Sequence, residues 1–205
     1  MAMVTKEAAR MFREARPVQP SIDEYAGSLE AGNRMTPVVR EAIEKARAIR
    51  FGHHLIFYIA GGLTGVSDEL KQRYTAVGNV MARKSTPGLT FFGYAPHLHG
   101  TDPVRHPDVT PAEVRDIDYL WAAVVPDGHI NFMFPMAHGN AIEAGWAEEH
   151  GIPALHIVPD DMTTSRLVRG LRNTIGTVLY RDFSADGLSQ IEEFLDGVTR
   201  SYHGS

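Results

Sequence analysis

The rhythm of apolar and polar positions changes once along this chain, near residue 53. Before that point the apolar residues recur at helical spacing. Val38, Val39, Ala42, Ile43, Ala46 and Ile49 form one stripe, with Thr36 placed as N-cap and Pro37 at the first helical position. This predicts a helix over 37–50, and two further helical segments are expected over 5–16 and 21–31. After residue 53, short apolar runs alternate with amphipathic stretches. The run LIFYIA at 55–60, closed by Gly61 and Gly62, has the pattern of a buried strand. Further strands are expected at 89–94, 129–134, 154–158 and 177–181. The intervening segments predict helices at 68–84, from Thr110 to about Trp121, at 140–150, at 163–172 and at 186–200. Thr110-Pro111-Ala112-Glu113 has capping-box spacing with proline in the first turn, and Gly151 and Pro153 stop the helix that starts near Asn140.

Strands that alternate with helices form βα units, and these build a parallel sheet covered on both faces. The expectation is an α/β fold: a doubly wound, five-stranded parallel sheet in flavodoxin-like order, since right-handed crossovers leave few other topologies. Residues 1–52 then form a helical N-terminal extension, read as a packing or dimerisation arm. Residues 53–205 form the α/β domain.

Composition narrows the function classes. The chain has 205 residues, 43% of them hydrophobic, enough for one full-sized core. A net charge of −5 argues against nucleic acid as the main partner, because such a surface must replace counterions with its own cations. A local pocket can still hold a small anion against the global sign. With no cysteine, disulfides, thiolate metal sites and cysteine nucleophiles are excluded together. No apolar run approaches the roughly 20 residues of a membrane span. The first 16 residues carry Lys6, Glu7, Arg10, Arg13, Glu14 and Arg16 with no apolar h-region between them, so no secretory signal is expected. A cytoplasmic protein with no membrane partner is expected. The histidines His97, His99 and His106, near Asp102 and Asp108, sit in a Pro- and Gly-containing loop over 95–109 without a His-x-x-x-His spacing, so neither a metal nor another cofactor is expected. The GGLTG segment at 61–65 lacks both the Rossmann glycine spacing and the Lys-Ser/Thr of a phosphate-binding P-loop.

In such a fold, ligands bind beyond the carboxyl ends of the strands, at the switch point between the first and third. Two segments fall there: 61–65 and 135–143. Glu143 stands three residues after Asn140, the spacing of a capping box, and on spacing alone the capping reading leads. Its place after the third strand supports a second reading. A carboxylate in the first helical turn is held ionised by the helix dipole, as a nucleophile requires, and projects toward the crevice. Tyr58 reads by itself as a core aromatic, Asp116 and Asp118 as surface acids of a helix, and His138 equally well as a surface residue or a polar contact.

Tyr58-Ile59-Ala60-Gly61-Gly62, then Arg115-Asp116, then the run from Gly139 through Glu143 to Ala147 resemble the nucleoside 2-deoxyribosyltransferase superfamily, over about residues 53–173. The nearest branch is that of the nucleoside 5′-monophosphate N-glycosidases. The resemblance implies Glu143 as nucleophile, Asp116 as the acid that assists departure of the base, and Tyr58 as the residue that orients Glu143. It places Gly61, Gly62 and Gly139 along the sugar and phosphate, and Ser165 at a 5′-phosphate. Thr64 and His138 are further candidate phosphate contacts. The branch patterns are incomplete: the position six residues before the nucleophile, serine in the hydrolases and aspartate in the transferases, is Ala137 here. The implied activity is hydrolysis of the N-glycosidic bond of a nucleoside or nucleotide. The alternatives are base exchange by a transferase or a non-catalytic nucleotide-binding regulator. A homo-oligomer is implied as well. Two carboxyl groups, one charged and one able to donate a proton, suit an oxocarbenium-like transition state.

Overall fold

Strand β1 (Leu55–Ala60) is buried at all six positions, because both of its faces are covered. The computed structural model describes residues 2–63, 65–134 and 137–203. On one side β1 pairs with β2 (Phe91–Tyr94), on the other with β3 (Gly128–Phe132). Beyond β3 lie β4 (Ala154–Pro159) and β5 (Thr174–Tyr180), giving the order β2-β1-β3-β4-β5, all parallel. This is the expected flavodoxin-like order. The winding reverses between β1 and β3, which opens a crevice at their carboxyl ends.

The side chains of β1 alternate between two cores. Leu55, Phe57 and Ile59 face α1 (Ala2–Glu14), α4 (Asp68–Lys84) and α9 (Leu188–His203), where they meet Phe12, Val77, Met81 and Phe194. Ile56, Tyr58 and Ala60 face α2 (Ile22–Ala31), α3 (Pro37–Gly52) and α6 (Pro111–Tyr119), among Leu29, Ile43, Ile117 and Trp121. The N-terminal helices are therefore layers of the fold. Helix α1 closes one face of the sheet and α2–α3 the other, with no break in packing at residue 53. The Phe12 ring stacks on Phe57 at 5.2 Å. It can do so because Gly128 has no side chain: a Cβ there would stand 2.7 Å from Phe12 and 2.8 Å from Phe57.

Several boundaries differ from the sequence expectation. β2 begins at Phe91, since Thr86 and Leu89 exchange backbone hydrogen bonds across a tight turn first. The 95–109 loop contains a short helix, α5 (Pro96–His99). The helix expected at 163–172 forms only as α8 (Arg166–Arg169), capped by Ser165. Helix α7 (His138–Glu149) starts ahead of Asn140. Helix α6 opens with the expected Thr110–Glu113 capping box and then widens into a π-helical turn, Leu120–Val124, closed by Val125 N–H donating to Leu120 O. His129 Nε2 donates to Ala122 O at 2.6 Å and ties this turn to β3. Among the described residues, no helix is long and apolar enough to cross a membrane.

Candidate active site

At the carboxyl ends of β1 and β3 lies a cavity of about 390 Å³. Gly61 and Leu63 line it from β1, Ala137, Gly139, Asn140 and Glu143 from the start of α7, and Val114 and Asp118 from α6. The 95–109 loop closes it with Thr101, Pro103, His106, Pro107 and Val109. Gly61 is required on its outer side: a Cβ would come within 2.3 Å of the Tyr74 ring, whose hydroxyl donates to Gly62 O at 3.2 Å.

Helix α7 positions Glu143 in a way its spacing does not suggest. The N-cap is Ala137, which offers no side-chain acceptor. Asn140 does not cap; its Nδ2 donates to Phe132 O at 2.7 Å and fastens the first turn of α7 to the end of β3. The Asn140–Glu143 capping box is therefore not formed, because the helix has already begun and the asparagine amide is spent on the strand. Glu143 falls in the second turn, 8% exposed, with Oε2 lacking a hydrogen-bond partner.

Burial raises the Glu143 carboxyl to about 8, the Asp118 charge adds to the rise, and the nearby Tyr58 hydroxyl opposes it. Burial likewise raises Asp118 to about 7, opposed by the Thr101 hydroxyl. Asp118 is partly exposed as a residue, but its Oδ1 is enclosed and unpartnered. Two carboxyls in one desolvated cavity cannot both ionise cheaply, so near neutral pH the pair holds about one proton. The Tyr94 hydroxyl and Oδ1 of Asn140 are also buried without a hydrogen-bond partner, and the buried Tyr58 and Thr101 hydroxyls have only the Glu143 and Asp118 carboxyls near them, without well-formed hydrogen bonds. Buried polar atoms are normally satisfied. Such a concentration beside a cavity is the arrangement of groups that await a polar ligand.

The likeness to known proteins is one of fold. The chain superimposes on a CMP N-glycosidase of Clostridium botulinum, BcmB, with a TM-score of 0.50 and 18% identity, over 67% of this chain and 97% of that one. It also superimposes on a conserved protein from Enterococcus faecalis V583, with a TM-score of 0.47 and 15% identity, over 72% of this chain and 98% of that one. No protein-family model and no curated protein matches the sequence.

The cavity gathers some of the residues expected from sequence and leaves others out. Glu143, Gly61 and Gly139 line it, and Tyr58 stands buried beside Glu143. The Gly62 carbonyl is occupied by Tyr74. His138 is exposed at the start of α7 and does not line the cavity. Ser165 is exposed, its Oγ accepting from Val168 N–H at 3.3 Å; α8 itself packs through Val168 against Met133 and Val158, beyond β3 and β4. Thr64 lies outside the described residues. Asp116 is not brought to the cavity. Its carboxyl accepts from Arg34 at 2.7 Å and Arg115 at 3.2 Å, and its carbonyl accepts from the Tyr25 hydroxyl at 2.9 Å.

The acid that does reach the cavity is Asp118. Two residues apart on a helix means about 200° around its axis, so the two aspartates point to different surroundings. A signal was available: Val114, Asp118 and Trp121 stand at i, i+4 and i+7, an apolar stripe whose middle position is a carboxyl group. Tyr94, Thr101 and Asn140 had no comparable signal.

A larger crevice, about 580 Å³, opens at the amino ends of β4 and β5 between Met11, Val18, His150, Arg172 and Asn173. It holds no buried carboxyl pair. Among the described residues, no group of three or more His, Asp or Glu is arranged to hold a metal ion.

Proposed function

We propose that this protein is an N-glycosidase that hydrolyses the bond between base and sugar of a nucleoside 5′-monophosphate, with Glu143 as nucleophile and Asp118 as acid. The observation that carries the reading is the buried pair Glu143–Asp118, sharing about one proton at the carboxyl ends of β1 and β3. Glu143 holds that proton somewhat more tightly in the unliganded molecule; the reactive form has it on Asp118, and the positive charge that builds at C1′ favours the Glu143 carboxylate. The fold neighbour described as a CMP N-glycosidase agrees with this reaction class.

In the first step the Glu143 carboxylate attacks C1′ of the sugar as the C1′–N bond breaks, and Asp118 gives its proton to the departing base. The product is a glycosyl ester on Glu143. In the second step the Asp118 carboxylate takes a proton from water, the resulting hydroxide adds to C1′, and Glu143 leaves as a carboxylate. One group thus serves as acid and then as base, as microscopic reversibility requires. Tyr58 orients the nucleophile. Asp118 takes the acid role that the family resemblance assigned to Asp116, whose carboxyl is committed to Arg34.

The 5′-phosphate docks at the start of α7. The first N–H groups there have no side-chain cap, and the helix dipole favours an anion. Gly139 presents open space at this point. The walls formed by Pro103, Pro107, Val109 and Val114 receive the base. A homo-oligomer belongs to the same proposal: Phe134, Ile142 and Leu167, on the segments that follow β3 and β4, are exposed apolar side chains for a second copy to cover. Sedimentation as a monomer at working concentration would remove that part.

The test is incubation with each common ribo- and deoxyribonucleoside and its 5′-monophosphate, with chromatography of free base and sugar phosphate. Release of base from at least one monophosphate, lost in Glu143→Gln, is the expected result. The proposal fails if no base appears from any of them, or if the variant is as active as the wild type. Efficient base exchange on addition of a second free base, with little free sugar phosphate, would reassign the enzyme as a transferase.

A further inference from the structure

We propose that Tyr94 is a positioning residue for the acid step, its hydroxyl donating to the Asp118 carboxylate as that group gives its proton to the base. The proposal rests on the N-glycosidase reading above and deepens it.

Tyr94 ends β2 and is the register partner of Tyr58 on β1. The two rings lie nearly parallel, with centroids 5.8 Å apart and planes 16° apart. Two phenol hydroxyls are thereby delivered side by side to a place that also holds two carboxyl groups. Tyr58 serves Glu143. For Tyr94 the strongest charge felt is that of Asp118, ahead of Glu143.

The ring cannot turn elsewhere. Trp121 stacks on it at 4.0 Å and 11°, and His99 at 5.0 Å and 28°. Trp121 stands one helical turn after Asp118, so the element that clamps the ring also carries the acid. Tyr94 is fully buried, and its hydroxyl has no hydrogen-bond partner in the resting molecule. A phenol has one proton to donate. The nearby acceptors that gain charge in the reaction are the two carboxyl groups.

This arrangement suits a charge that appears only during the reaction. While Asp118 holds its proton, it has little need of donors. Once the proton has moved to the base, a new carboxylate stands in a cavity poor in water. Tyr94, and Thr101 on the loop, supply donors already held near Asp118, so little reorganisation is needed as the charge forms. Tyr94 transfers no proton itself; burial holds its phenol protonated. The titratable groups around Asp118 are Glu143 from α7, Tyr58 and Tyr94 from β1 and β2, and His106 from the loop. Thr101 adds a neutral hydroxyl.

The decisive variant is Tyr94→Phe, which keeps the stack and removes only the hydroxyl. On the nucleoside monophosphate that the wild type cleaves best, kcat is expected to fall about 10- to 100-fold, the range for loss of one pre-positioned donor or of acid assistance. KM stays within about threefold, because the hydroxyl acts on the transition state rather than on binding. The kcat/KM profile of the coupled pair moves to higher pH, since a donor to the charged form lowers a carboxyl pKa and its removal raises it. A second substrate separates acid assistance from structure: 4-nitrophenyl ribofuranoside 5-phosphate releases a stable anion and needs no proton from Asp118. On it, Tyr94→Phe is expected to match the wild type.

Equal losses on both substrates would mean a structural role and overturn the proposal. So would wild-type kcat and an unshifted pH profile in Tyr94→Phe. If the wild type releases no base from any nucleoside or nucleotide, the underlying N-glycosidase reading fails and takes this one with it. That outcome is distinguishable, because it is read on the unmodified protein.

Discussion

The two faces of the sheet are built from different materials. Toward α1, α4 and α9 the strands present Leu55, Phe57, Ile59, Ile130, Phe132, Leu155 and Ile157, and the helices answer mainly with apolar side chains, the buried amide of Gln190 and hydroxyl of Tyr74 being hydrogen-bonded to Leu179 O and Gly62 O. Toward α6 and α7 the same strands present Tyr58, His129, Asn131 and His156 at alternating positions. Buried polar groups on this face are partly paired: His129 with Ala122 O and Asn131, His156 with Thr174 at 2.8 Å. Others are left short of partners, including one oxygen each of Glu143 and Asp118. One face stabilises the fold; the other gives up some stability to keep polar groups ready. The difference shows that a single alternating strand can serve both ends, because successive side chains never meet.

This contrast can be broken most sharply at Glu143. Glu143→Gln is expected to lose on the order of 1,000-fold or more in base release, as for removal of a catalytic nucleophile. Its thermal midpoint at pH 8 should be equal to or higher than that of the wild type, since a buried carboxyl is gone. A large activity loss with a lower midpoint would place Glu143 among the stabilising residues. On the opposite face, Phe57→Ala removes contacts with Phe12, Phe91 and Phe194 and should cost about 3–5 kcal/mol in denaturant unfolding. Turnover per folded molecule should be unchanged; altered turnover would show that the two faces are not separate.

A comparable effect lies in the pH dependence of stability. Glu143 and Asp118 both hold their protons more tightly in the folded state than in the unfolded chain. Their contribution is therefore most favourable in acid and falls as pH rises from the ordinary carboxylate range through about 7 to 8. Buried His97, His129 and His156 act in the opposite sense at lower pH, being held neutral in the fold. The clean measurement is the difference in unfolding free energy between wild type and the Glu143→Gln/Asp118→Asn double variant. That difference should grow in the variant's favour by several kcal/mol between pH 5 and pH 9, about 1.4 kcal/mol per pH unit for each carboxyl until its folded-state value is passed. A flat difference would contradict the raised carboxyls. The smallest effect is expected at Asp116. Asp116→Asn weakens the link to Arg34 and should cost about 1 kcal/mol of stability, with activity changed less than about threefold. A 100-fold loss of activity there would return the acid role to Asp116.

Much of the architecture was legible because it depends on period and punctuation. The apolar run at 55–60, the proline at residue 37 and the Thr110 capping box each name an element, and the alternation of elements names the sheet order. Glu143 was legible through its place after β3, although its geometry was not: spacing suggested a capping box that Asn140 does not make. The hidden part depends on how elements are turned against one another. Choosing between Asp116 and Asp118 required knowing which side of α6 meets the cavity. Finding Tyr94 required the β1–β2 register. The extension over 1–52 read as an arm because its charged, alanine-rich texture differs from that of residues 53–205, yet Phe12 and Ile43 belong to the same two cores as β1.

The π-helical turn at Leu120–Val124 makes the site sensitive to counting. It follows Asp118 by two positions, and His129 anchors it to β3 at Ala122 O. Removing one residue there would restore an ordinary helix and swing everything before it by about 100° relative to the sheet. Asp118 would then leave the cavity, with every residue of the site still present in the sequence. In this protein a gap of a single position can therefore be a more severe lesion than many substitutions, and aligning related chains through this segment is a question of rotation as much as of identity.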